Sequence, residues 1–296
     1  MPESGMHIAK PIALTTLAMI AFAANSVLCR LALGGGTIDA AGFTSIRLLS
    51  GALVLLCILK LSNNAKTNTK GSWSAAFMLF LYAATFSFAY LTLNTGTGAL
   101  ILFGSVQITM ILRSLFSGNR LLPIEWMGVV TAFSGIVYLV LPGVTAPSFT
   151  GFSLMTCAGI AWGLYTLKGR DSTYPLSDTT YNFLRSMPFV IILALFFLKN
   201  AHLTREGVLL AIISGGITSG IGYTLWYMAL RGITATQAAV VQLSVPVIAG
   251  FGGVVFVSEQ ISLRLTLSAL LTLGGILMVI LGRNAKNRKP RSHAKP

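Results

Sequence analysis

Arg47 and Arg185 each stand about seven residues inside long apolar stretches, and few other residues in this sequence are placed to do chemistry. At 1.5 Å per helical residue they would lie about 10 Å deep. A cation there costs about 2.5–3.5 kcal/mol on insertion scales, less if the side chain snorkels. Two uses fit such an arginine: bonding backbone carbonyls at the edge of a helix bundle, or serving as a carboxylate receptor or gating contact.

The absences are as informative. Glu3, Asp39, Glu125, Asp171, Asp178, Glu206 and Glu259, and His7, His202 and His293, all sit at the ends of apolar stretches or between them. No paired carboxylates, nucleophile–histidine arrangement or metal-ligand spacing is present, so no catalytic residue, cofactor or metal is expected. Cys29, Cys57 and Cys157 lie in apolar runs without a CxxC pattern and read as small buried hydrophobes. An integral-membrane enzyme would place a reactive cluster near the membrane surface, and none is legible. With no mid-membrane acid to relay protons or to balance a cation, neutral or zwitterionic cargo fits better than cationic drugs.

The elements that must position these residues are membrane helices. Of 296 residues 54% are hydrophobic and only 9% charged, with mean hydropathy +0.79. A soluble domain carries about 25% charged residues. Apolar runs fall at 11–33, 40–61, 73–93, 97–117, 123–141, 150–168, 178–199, 207–230, 233–257 and 262–282, each near the length that crosses a bilayer. Lys10 followed by Ala21-Phe22-Ala23 has the outline of a cleaved leader. Apolarity continues to Leu33, however, and the segment reads as the first span. The expected fold is all-α, integral to the membrane, with ten transmembrane helices.

The net charge of +14 reflects topology rather than nucleic-acid binding. With the N-terminus (1–10) inside, fifteen of the 21 Lys and Arg fall on the cytoplasmic side, among them Lys60, Lys66, Lys70, Arg113, Arg120, Lys168, Arg170, Arg231 and the basic tail 283–296. Arg30, Lys199, Arg205 and Arg264 fall outside. That asymmetry puts both termini in the cytoplasm.

The halves also repeat. Phe22 and Arg30 align with Trp162 and Arg170, Arg47 with Arg185, Tyr90-Leu91-Thr92-Leu93 with Tyr227-Met228-Ala229-Leu230, and Ser105-Val106 with Ser244-Val245, at an offset between 137 and 140. Five spans per copy, 11–141 and 150–282, force the second copy to enter from the opposite side. Inverted five-helix repeats of this kind suit a secondary transporter that alternates access around one midplane site.

Phe103-Gly104-Ser105-Val106-Gln107, Ile160-Ala161-Trp162-Gly163, Asn182-Phe183-Leu184-Arg185, Gln242-Leu243-Ser244-Val245-Pro246-Val247 and Ser258-Glu259 carry a resemblance to the EamA-type branch of the drug/metabolite transporter superfamily. That resemblance covers about 11–282. It implies inner-membrane export of small metabolites, often amino acids, by alternating access. Nucleobases, sugars and amphipathic drugs are the other substrate classes. One departure is Gly118-Asn119-Arg120, where family members often carry Gly-Glu-Arg.

The expected cavity residues are Asn25, Arg47, Tyr90, Gln107, Trp162, Tyr165, Arg185, Tyr223, Tyr227 and Gln242. Amides need partners in lipid, and Trp162 and Tyr165 share one helical face. Tyr82 and Trp226 read instead as interfacial belt aromatics. Pro188, Gly220 and Pro246 are candidate hinge or packing positions. The expected partners are a small-molecule substrate and the lipid bilayer.

Overall fold

The computed structural model describes residues 3–62, 70–118, 121–143, 146–170, 172–230 and 235–288, and does not extend to the side chains of 3–11, 235–237 and 283–288. Lys10, Lys66, Arg120, Arg231 and the tail 283–296 therefore lie outside the described side chains.

Helices α1 (Glu3–Gly34), α2 (Ala40–Leu61), α3 (Trp73–Ala89), α4 (Thr95–Phe116) and α5 (Pro123–Val140) form the first half. In the second, α6 (Phe149–Arg170) and α7 (Pro175–Phe196) precede a composite rod of α8 (Arg205–Ile213), a π-helical segment (Ser214–Ile221) and α9 (Gly222–Leu230). Next, α10 (Ala235–Gln242) and α11 (Ser244–Val257) are parted at Leu243, and α12 (Leu263–Arg288) closes the chain. The described residues hold no strand, only an isolated bridge between Ile38 and Leu203.

Short polar signals set the helix starts. Asp39, Ser72 and Thr204 cap α2, α3 and α8 through their side chains. Pro123 and Pro175 open α5 and α7, where a missing N–H leaves no bond unmade. Glu125 reaches back to accept from Leu122 N at 2.5 Å.

Among the described residues, each of the ten apolar runs overlaps helix. Eight stretches are long and apolar enough to cross a membrane: 12–34, 40–61, 95–116, 123–140, 175–196, 205–230, 238–257 and 263–282. Helix α3 is apolar but has 17 residues. Helix α6 has 22 but is diluted by Thr150, Ser153, Thr156, Lys168 and Arg170. Trp126, Phe133, Leu195, Phe251, Phe256 and Leu270 stand exposed on the outer surface. Such an apolar exterior suits acyl chains, not water. Among the cysteines only Cys29 is buried as expected. Cys57 is exposed and Cys157 half-buried, because their helices turn those faces outward.

The bundle packs through specific pairs. Helix α1 contacts both α9 and α11, and α6 contacts both α3 and α4. Helix α2 lies on α7 and on the π segment, α3 on α7, α4 on α11, and α5 on α12. At the bundle end carrying Arg30, Asp39 Oδ2 accepts from His202 N at 3.0 Å, ahead of α8. At the opposite end Asp178 Oδ1 accepts from Gly71 N at 3.0 Å, ahead of α3.

Candidate functional site

Polar and aromatic side chains converge where α1, α2, α3, α6 and the π segment meet. Helical spacing puts Phe22, Asn25 and Ser26 on one face of α1, and Tyr82 and Phe86 on one face of α3, with Tyr90 at its C-cap. Opposite them, the π segment contributes Ser214, Thr218 and Ser219. Eight residues wound with i→i+5 bonds are rare, and such segments recur at functional sites. Close approach is what keeps glycine there: a Cβ on Gly215 would lie 2.0 Å from Ser50 Oγ and 2.1 Å from the Arg47 carbonyl oxygen.

Asn25 and Arg47 organise the polar groups. Asn25 Oδ1 accepts from Ser214 Oγ at 2.7 Å and Thr218 Oγ1 at 3.3 Å, while its Nδ2 donates to the Tyr82 hydroxyl at 3.4 Å. Arg47 is 1% exposed. Its Nη2 donates to the Tyr82 hydroxyl at 3.1 Å and its Nε to Ser219 Oγ at 3.3 Å. Its guanidinium also lies over the rings of Tyr82 and Phe86, 5.2 and 5.0 Å from their centroids. Nη1 is buried with no hydrogen-bond partner among the described residues, and no carboxylate there pairs with this cation. The side chain thus bonds neighbouring hydroxyls and rings, not carbonyls at the bundle edge.

Trp162 is the hub of an aromatic cluster. Its ring lies 4.8 Å from Tyr82, 5.0 Å from Tyr223 and 6.3 Å from Phe22, and it stacks on Tyr165 at 5.5 Å. Phe22, Asn25, Tyr82, Trp162, Ser219 and Tyr223 enclose a central cavity of about 20 Å³, room for one water molecule. Trp162 and Tyr223 also wall a second cavity of about 130 Å³, reached toward the Arg170 end and lined by Tyr227, Trp226, Ala239 and Gln242. Trp162 and Tyr223 are the residues that line both spaces. A larger, apolar groove of about 400 Å³ between α4, α5 and α6 lies away from Arg47.

Of the expected residues, Asn25, Arg47, Trp162, Tyr165 and Tyr223 come together at the centre, and Tyr227 and Gln242 line the second cavity. Tyr90 lies at the end of α3, its hydroxyl donating to the Thr95 carbonyl at 3.3 Å. Gln107 is buried on α4 outside both cavities. Arg185 sits half-buried over Trp73, 5.8 Å from the ring centroid and away from the cluster.

Pro188 faces outward and α7 runs through it unbroken. Pro246 follows the break at Leu243; lacking an N–H, it cannot continue the ladder across that point. Gly220 packs on Val54, with 3.2 Å left for an added Cβ. Two readings need correction. Tyr82 and Trp226 are not belt residues: each is 5% exposed and packs inside, Tyr82 at the middle of α3. Ser219, Thr218 and Ser214 were invisible as candidates, since only the π winding brings them to Asn25 and Arg47.

A multi-helix bundle with an apolar exterior and a polar cluster at its centre is an architecture that suits a membrane transporter. The chain belongs to the EamA-like transporter family, whose model matches it twice, at residues 9–141 and 149–281. An uncharacterized protein of Pseudomonas aeruginosa is 46% identical over 280 residues, covering 94% of this chain and 98% of that one. The Bacillus subtilis transporter YoaV is 22% identical, covering 80% and 85%. The Escherichia coli threonine/homoserine exporter RhtA is 26% identical, covering 85% and 84%. One solved crystal structure shares the fold with a TM-score of 0.65 at 17% identity, over 94% of this chain and 99% of that one.

Proposed function

We propose that this protein is a secondary transporter that exports small neutral or zwitterionic metabolites, amino acids foremost, by alternating access. Its ten helical rods cross the membrane as two inverted repeats, 11–141 and 150–282. Both termini are cytoplasmic, in a bacterial-type inner membrane. No catalytic step and no cofactor enter the cycle.

Helix packing supports the inverted repeat. The contacts of α1 with α9 and α11 have their counterparts in those of α6 with α3 and α4. The same exchange turns α2 on the π segment into α7 on α3, and leaves α2–α7, α4–α11 and α5–α12 paired with each other. Asp39 and Asp178 bind the loop ahead of the third helix of the opposite copy, at opposite ends. Residue i of one copy meeting j of the other, and j meeting i, is the mark of a two-fold axis. The double family match adds to this.

One observation carries the substrate reading: a fully buried arginine with a free N–H stands behind a ring of hydroxyls, an amide and aromatic faces, with no carboxylate to balance it. A buried unpaired cation is costly. A ligand carboxylate would relieve that cost, and the faces of Trp162 and Tyr223 suit an ammonium or an apolar side chain. The exporter RhtA handles amino acids, which favours the same class. Because the central cavity holds only about one water, substrate entry requires the helices around it to part.

Counterflow in proteoliposomes, scored with labelled amino acids, nucleosides and sugars, tests this without an assumed driving force. Exchange of amino acids, lost when the α-carboxylate is esterified, is the expected result. Exchange of nucleosides or sugars alone would overturn it.

A further inference from the structure

The second cavity carries an unmet hydrogen-bonding demand of its own. Gln242, the last residue of α10, is 6% exposed, and its side-chain Oε1 has no hydrogen-bond partner among the described residues. The residue lines the space of about 130 Å³. A buried acceptor that has left water and found no donor stays costly until something donates to it.

The helix break at Leu243 adds acceptors at the same place. Leu243 N donates to the Val240 carbonyl at 3.1 Å, three residues back rather than four. Pro246 has no N–H to offer the Gln242 carbonyl, which stands four residues before it. Ala239 and Gln242 both line the cavity, and α10 ends there. A helix C-terminus presents the negative end of its dipole. Broken helices that bare such ends inside a bundle are suited to hold cations.

The rest of the wall selects the kind of cation. Trp162, Tyr223, Trp226 and Tyr227 line the same space, and no carboxylate does so among the described residues. Aromatic faces attract an organic ammonium through their quadrupoles. A bare metal ion instead needs a shell of about six oxygens. The volume is about ten times what one water requires, so a small amino acid fits here, whereas the central cavity of about 20 Å³ excludes it.

We propose that the second cavity is a waiting site for the ammonium group of the cargo, received by Gln242 Oε1 at the end of α10 beside these rings, and filled before the helices part to admit cargo to Arg47. This rests on the amino-acid reading above. An ammonium held at Gln242 leaves the cargo carboxylate free for Arg47. Trp162 and Tyr223, which line both spaces, touch the cargo at either station.

The test uses the full chain, purified in detergent and carrying Cys29→Ala, Cys57→Ala, Cys157→Ala and the reporter Ala239→Cys. The probe is n-butylammonium chloride, which lacks a carboxylate, and the readout is protection of residue 239 from a soluble thiol reagent. Protection is expected, with 1-butanol far less effective. Gln242→Leu should raise the half-protecting concentration at least about tenfold, the worth of a hydrogen bond to a charged group. Gln242→Glu keeps the acceptor oxygen and should protect at the same concentration or lower, which separates lost chemistry from lost folding. Equal protection by 1-butanol, or an undiminished effect in Gln242→Leu, overturns the ammonium site. Loss of protection when sodium chloride is added, but not when choline chloride is, would give the site to a metal ion and overturn it as well. Gln242-dependent protection without any amino-acid counterflow keeps the ammonium site and sinks the amino-acid reading instead.

Discussion

The Tyr82 hydroxyl lies between Asn25 and Arg47, accepting from Asn25 Nδ2 at 3.4 Å and Arg47 Nη2 at 3.1 Å. Three helices of the first half meet at this one oxygen. Tyr82→Phe keeps the ring under the guanidinium and removes only that junction, stranding a second guanidinium N–H. We expect a stability loss of about 1–3 kcal/mol, read by thermal unfolding in detergent, because a buried donor is left unsatisfied. Amino-acid counterflow should slow as well. An unshifted melting temperature would show that the hydroxyl does not hold the cluster.

Arg47 offers a separation of stability from function. A buried unpaired charge replaced by a hydrophobe of similar length is often neutral or stabilising. Arg47→Met should therefore melt within about 1 kcal/mol of the parent, or above it, while exchange falls by about two orders of magnitude. Arg47→Lys cannot reach Tyr82 and Ser219 with one planar fork and should lose both. Normal exchange by the Met variant would remove arginine from the substrate site.

Adjacent glycines should respond oppositely. An added Cβ at Gly215 meets the Arg47 carbonyl at 2.1 Å, whereas at Gly216 the nearest atom is Val54 Cγ2 at 3.2 Å. Gly215→Ala must push α2 off the π segment, at a cost of about 1–3 kcal/mol or more. Gly216→Ala needs only a small shift of one methyl. Detergent melts of the pair provide the comparison, and equal losses would refute the close-contact account.

Trp162 lines both the central cavity and the second one of about 130 Å³. Trp162→Ala joins them and removes the ring that Tyr82, Tyr165 and Tyr223 pack against. The KM for amino acids should rise at least about tenfold, the usual size of a lost aromatic anchor. Trp162→Phe should recover most of it. Equal KM values in the two variants would place the wall elsewhere.

Long-wavelength features were legible in the sequence, and contacts across the bundle were not. Span positions follow from apolar length against bilayer thickness, a local property, so α2 begins at Ala40 and ends at Leu61 as read. Tyr82 was misjudged because its role depends on which faces of α1 and α2 turn toward α3. Arg185, which aligns with Arg47 in the sequence, settles over Trp73 instead of the centre for the same reason. Within Ser214–Ile221 only Gly220 is legible, as a hinge or packing position; hydropathy carries no trace of an i→i+5 register.

That register has a mechanical consequence. A helix wound one residue loose over Ser214–Ile221 holds slack that can be let out or shifted along its length. Because one α-helical residue corresponds to about 100° of turn, tightening the segment would swing Tyr223 and Trp226 around their own axis like the vanes of a turnstile. The partition between the two cavities could then revolve while α8 stays anchored at Thr204.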